Sequence, residues 1–126
     1  MRIARSALAA VLLALVVVSA AIALSGCAQT LPASTPGITG TITSLLPGDG
    51  RPANFLVQGN KQPEGAVSDK AQVTIAPRTT FFDRHGKPTN PRGIGVGTRV
   101  SVWFDGAVAE SYPVQGTALA VQVFGK

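Results

Sequence analysis

The sequence predicts an all-β protein, a small five-stranded barrel behind a cleaved signal peptide. Three observations lead there. Residues 37–126 hold no apolar stripe at i, i+3, i+4, i+7 spacing. Five runs within them alternate apolar and polar side chains, and Gly or Pro interrupts the chain between runs. The N-terminus is different: 20 of the first 26 residues are apolar, against 37 of the remaining 100.

The first element is an address. Arg2 and Arg5 make a short basic start, and an apolar run follows from Ala7 to Leu24, broken by Ser19. That is the layout of a secretory signal peptide. The run is close to the ~20 residues that span a bilayer, so an uncleaved membrane helix is the alternative. The small residues Ser25 and Gly26 before Cys27 favour cleavage. Leu24-Ser25-Gly26-Cys27 resembles a bacterial lipobox. The resemblance implies that residues 1–26 are removed and that Cys27 becomes the first residue, its thiol carrying diacylglycerol. Each buried CH₂ contributes about 0.8 kcal/mol, so two or three palmitate-type chains would hold the protein on a membrane. Residues 27–36 then read as the lipidated cysteine and a flexible tether, with Pro32, Pro36 and small polar residues. The expected place is a bacterial cell membrane or outer membrane, with the domain outside the cytoplasm.

Residues 37–126 form the folded domain. Ile38, Gly40 and Ile42 alternate with Thr39, Thr41 and Thr43 in a first strand, and Pro47–Gly50 is a turn. Asn54–Gln58 is a short second strand, and the polar stretch from Gly59 to Ser68 is a loop. Ala71, Val73 and Ile75 mark a third strand stopped by Pro77, with Thr79–Phe82 as a short extended piece. Asp83–Gly86 is a turn, and Lys87–Gly97 is irregular. Val100, Val102 and Phe104 share a face of the fourth strand, with Ser101 and Trp103 on the other. Asp105-Gly106 signals a turn, and Ala107–Glu110 reads as a short returning strand ended by Pro113. Thr117–Phe124 is the last strand. The expected core is Ile38, Ile42, Leu56, Val73, Ile75, Val100, Val102, Phe104, Leu119, Val121 and Val123. Five short strands avoid open edges best by closing, which favours an OB-like barrel over a small open sandwich.

Composition excludes several functions. One Cys forms no internal disulfide, and one Cys with one His builds no Cys/His zinc site. The formal charge of +5 falls to +3 once Arg2 and Arg5 leave. The remaining basic residues are scattered, so no nucleic-acid partner is expected. No metal or cofactor is expected either.

The stretch from Gly97 to Ala118 runs through an alternating strand near Trp103, a glycine turn, then Glu110-Ser111-Tyr112-Pro113 and Gln115. It resembles a family of small secreted and lipoprotein domains known as domain of unknown function 3221. The segments Gly37–Ile42 and Val73–Thr80 are similar in order and spacing, whereas Pro47–Asp69 carries no matching motif. The resemblance implies an OB-like envelope domain and no particular activity.

Candidate ligand-binding residues are Trp103, Glu110, Ser111, Tyr112 and Gln115, with Cys27 as the lipidation site. Glu110–Pro113 joins two strands, and connections carry function more often than strands do. Tyr112 offers an aromatic face to a sugar or peptide, with Glu110 and Gln115 as polar partners. The plainer reading is structural, with Ser111 satisfying a turn and Tyr112 packing its ring on the barrel. Trp103 lies opposite the fourth strand's apolar stripe, so it is either an outer platform or a cover at one barrel end. One of the adjacent Phe81 and Phe82 must point outward.

Catalytic signatures are thin. Asp83, His85 and Ser111 contain the residue types of a triad, and Asp83, Asp105 and Glu110 could pair as carboxylates. No Gly-x-Ser-x-Gly elbow is present, and no helix pattern follows the glycines at 93, 95 and 97. The expectation is a non-catalytic module that binds an envelope protein or wall glycan. The alternative is a small extracytoplasmic hydrolase using Ser111 with His85 or nearby carboxylates.

Overall fold

The computed structural model describes residues 29–126. The signal segment and Cys27 lie outside the described residues. Five strands follow in order: β1 (Ile38–Pro47), β2 (Pro52–Gln58), β3 (Lys70–Phe82), β4 (Arg99–Phe104) and β5 (Val114–Gly125). They close into a barrel in the order β1-β2-β3-β5-β4. Every pairing is antiparallel except β3 with β5. No helix occurs among the described residues, and none there could cross a membrane.

Closure depends on β1 serving two neighbours. Its first half pairs with β4, through Ile38↔Val102 and Gly40↔Val100, and its second half with β2, from Thr41↔Gln58 onward. The chains cross most closely at Gly40 and Gly59. A Cβ on Gly40 would collide with the Gln58 carbonyl, and one on Gly59 with the Thr39 carbonyl. Glycine is required at both by backbone proximity. Beyond that crossing, a side chain continues the ladder. The Gln62 amide accepts from the Thr39 N–H at 2.9 Å and donates to the Thr39 carbonyl at 2.6 Å. This pins the loop from Gly59 to Asp69 to the start of β1.

β3 runs through Pro77 rather than stopping there. The pairing with β5 passes from Ile75↔Ala118 directly to Thr80↔Ala120, so residues 76–79 bulge opposite Leu119 alone. A bulge is where a strand tolerates proline, because no ladder N–H is needed. The buried Thr79 hydroxyl closes it, donating to the Ala118 carbonyl at 2.6 Å and accepting from the Ala76 N–H at 2.9 Å. Arg51 braces it from the β1–β2 turn. Its guanidinium donates to the carbonyls of Pro77 at 3.2 Å and Thr79 at 2.9 Å, and lies over the Phe81 ring.

The same irregularity corrects the expected core. Trp103 pairs with Ala120 and Phe104 with Ala118, so Leu119 is the extra residue in β5. It points outward and is 42% exposed, while Ala118 and Val121 face the core on either side of it. Leu56 is corrected as well. The pairs Phe55↔Val73 and Val57↔Ala71 place Phe55 and Val57 inside and leave Leu56 half-buried. Three apolar residues in a row give no phase, and partner strands set it. Ile38, Ile42, Val73, Val100, Val102 and Val121 are fully buried as expected, and Ile75, Phe104 and Val123 pack against them.

Two further expectations change. Ala107–Glu110 is not a strand, since only one bridge, Ala109↔Gln115, forms there. Residues 29–36 are not a free tether either. Leu31 packs on Phe82, Trp103 and Ala120 outside the barrel, so this segment is a strap.

Candidate functional site

Trp103 sits on the outer face of β4, as its alternation requires, yet it is only 7% exposed. The strap covers it. The indole N–H donates to the Ser34 carbonyl at 2.8 Å, and Leu31 packs on the small outer cluster of Phe82, Trp103 and Ala120. Phe82 is therefore the outward member of the phenylalanine pair, and Phe81 enters the core.

Beside the strap lies a cleft of about 420 Å³. Its walls are the strap (Pro32, Ser34, Thr35), the loop residues Gly65 and Val67, the end of β4 (Trp103, Phe104), the turn Gly106–Val108, and Leu119. The Phe104 ring is wedged between two glycines. A Cβ on Gly37 would strike it, and one on Gly116 would come within 2.6 Å. The loop wall is fixed by the Val67 N–H, which donates to the Gly37 carbonyl at 2.8 Å. Val67 and Leu119 are exposed, and Val108 is half-buried. The cleft thus offers apolar side chains and a few hydroxyls, with no titratable group in its lining.

The other sequence candidates gather elsewhere. Glu110, Ser111 and Tyr112 are exposed on the β4–β5 connection and Gln115 is exposed at the start of β5, all outside the cleft lining. The Ser111 hydroxyl donates to the Pro113 carbonyl at 2.8 Å, a turn-closing role. Tyr112 is 71% exposed and reaches across to the loop before β3. Its phenol donates to Asp69 at 3.2 Å, and the Lys70 ammonium stands 5.9 Å from its ring centre. The Asp69 carboxylate pushes the Tyr112 pKa upward, because ionisation would lose that bond and set two anions together. Trp103, Tyr112 and the phenylalanine pair therefore do not line one groove.

The chemistry of a triad is not assembled. Ser111 precedes β5 near the Ala71↔Val114 pair, whereas His85 follows β3 beyond Phe82↔Gln122. Eight residues of β5 separate those pairs, roughly 26 Å at ~3.3 Å per residue. Asp83 is occupied in its own turn, accepting from the N–H groups of His85 at 2.8 Å and Lys87 at 3.0 Å. The Lys87 N–H above all, then that of His85, holds its carboxyl below the ordinary range. Asp105 is engaged by the Arg78 guanidinium. Among the described residues no group of three or more His, Cys, Asp or Glu could hold a metal.

Sequence reasoning missed the cleft because its walls come from four separated segments. The one available signal was the apolar residues Leu31 and Val67 inside stretches that otherwise read as tether and loop.

No curated protein and no solved structure shows significant similarity to the chain. The family model described as protein of unknown function (DUF3221) matches residues 49–124. The match takes in β2 through β5 and the loop before β3, which carried no recognisable motif, and leaves the Gly37–Ile42 strand outside. By that match over more than half its length, the chain belongs to the DUF3221 family of proteins of unknown function.

Proposed function

We propose that the protein is a lipoprotein held on an envelope membrane by acyl chains on Cys27. Its barrel, outside the cytoplasm, serves as a non-catalytic module that binds an envelope ligand or protein partner. The Leu24-Ser25-Gly26-Cys27 sequence supports the anchor. The cleft beside the strap carries the binding role. Twelve residues line it without one titratable side chain, while Phe104, Val67 and Val108 offer apolar surface. Such a lining suits recognition by shape and burial, and it offers no titratable acid or base to activate the Ser34 and Thr35 hydroxyls.

Two measurements test this. Cys27→Ala should move the protein from the membrane fraction to the soluble one in cell fractionation. Immobilised protein should retain a component from wall glycans or detergent-extracted envelope proteins, and Val67→Glu with Val108→Glu should abolish that retention. Retention surviving both changes would place the ligand elsewhere.

A further inference from the structure

The strap changes what a lipid on Cys27 would do. A free tether of nine residues would let the barrel swing ~30 Å from the membrane in any orientation. The chain is instead fixed on the barrel at Leu31 and at the Trp103–Ser34 hydrogen bond. Gln29 and Thr30 line a small pocket together with Thr80, Phe82, Leu119 and Ala120, at the seam of β3 and β5. Only residue 28 stands between Cys27 and Gln29, so the leash from Cys27 to Gln29 reaches about 7 Å at most.

We propose that the strap docks one face of the barrel on the lipid surface: the outer side of the β3–β5 seam, with Leu119 at its centre. This rests on the lipidation of Cys27 proposed above. The leash is shorter than the barrel is wide, so only the face around its attachment can meet the bilayer. β1 and β2, across the barrel from β5, are turned away.

The chemistry of that face agrees with an interfacial position. Leu119 is an outward leucine, placed there by the β5 bulge and 42% exposed. Leu31 lies against Gly86 in the turn after β3, and that turn also carries the exposed Arg84 and Lys87. Asp83 of that turn is engaged by backbone N–H groups, and His85 is the remaining titratable group there. Farther along the seam, Arg78 and Asp105 neutralise each other. The turn thus offers anionic headgroups an excess of positive charge, from Lys87 and from Arg84, whose guanidinium also donates to the Phe124 carbonyl at 3.0 Å.

The test uses the full lipidated chain, reconstituted into liposomes containing anionic lipid. Because the native chain has one cysteine, a second can be labelled selectively once Cys27 carries lipid. Leu119→Cys and Leu46→Cys would each receive an environment-sensitive fluorophore. Both positions are exposed, and Leu46 lies on the β1–β2 hairpin. Spin-labelled lipids should quench the label at 119 several-fold more than the label at 46. Adding Leu31→Ser should erase that difference while the protein stays membrane-bound. Equal quenching at the two positions in anchored protein would overturn the docked face and leave the anchor standing. Persistence of Cys27→Ala in the membrane fraction would overturn the anchor itself.

Discussion

A single tyrosine makes one contact between loops directly measurable. Tyr112 is the only tyrosine in the chain, so its ionisation can be followed by ultraviolet absorbance without overlap. The neutral phenol donates to Asp69, which raises its pKa above the ordinary value of about 10. A raised acid pKa means the contact is fully present below the unfolded value and is lost as pH rises through the folded one. Alkaline titration should therefore show a midpoint above that of free tyrosine. Asp69→Asn should return the midpoint toward it, and an unchanged midpoint would remove the contact from the account. The residue types of this pair were legible in the sequence. Their meeting was not, since 43 positions separate them and only the barrel end brings them together.

Among the elements, β3 shows how a local rule gives way to a tertiary one. Pro77 predicts a strand end, because proline cannot donate to a ladder. The strand continues because four residues bulge opposite one, and Thr79 and Arg51 take up the freed backbone groups. Thr79→Val keeps the side-chain shape but strands the Ala76 N–H and the Ala118 carbonyl. The expected loss is about 1–3 kcal/mol, read as a lower denaturation midpoint. A neutral result would mean that the bulge does not depend on this hydroxyl. The matching irregularity in β5 turns Leu119 outward, against a period-two pattern that reads Leu119, Val121 and Val123 as one face. Bulges move the phase without marking the sequence, so alternation is trustworthy only between them.

Over the whole molecule, the barrel has an inner core and a second, outer cluster sealed by the strap. A small domain buries a modest fraction of its surface, so covering Trp103 and Phe82 outside the barrel removes an otherwise exposed aromatic patch. The chain contains one tryptophan, and its emission reports whether the strap is seated. Leu31→Ala should shift Trp103 emission to longer wavelength and raise its quenching by iodide, with the barrel still folded by circular dichroism. Unchanged emission would mean that Leu31 is not what keeps water from the indole.

The sequence by itself determined that the domain is all-β with five strands. It also located most inward positions, because alternation and turn residues are written within a few neighbours of each site. It supplied the lipobox-like Leu24–Cys27 signal, since that chemistry is read from contiguous residues. Only the tertiary structure decided that a stretch of proline and small residues is a strap, that Trp103 lies beneath it, and that the cleft opens beside it. Those features depend on segments far apart in the chain, and the closure of β1 on both β2 and β4 is what brings them onto one surface.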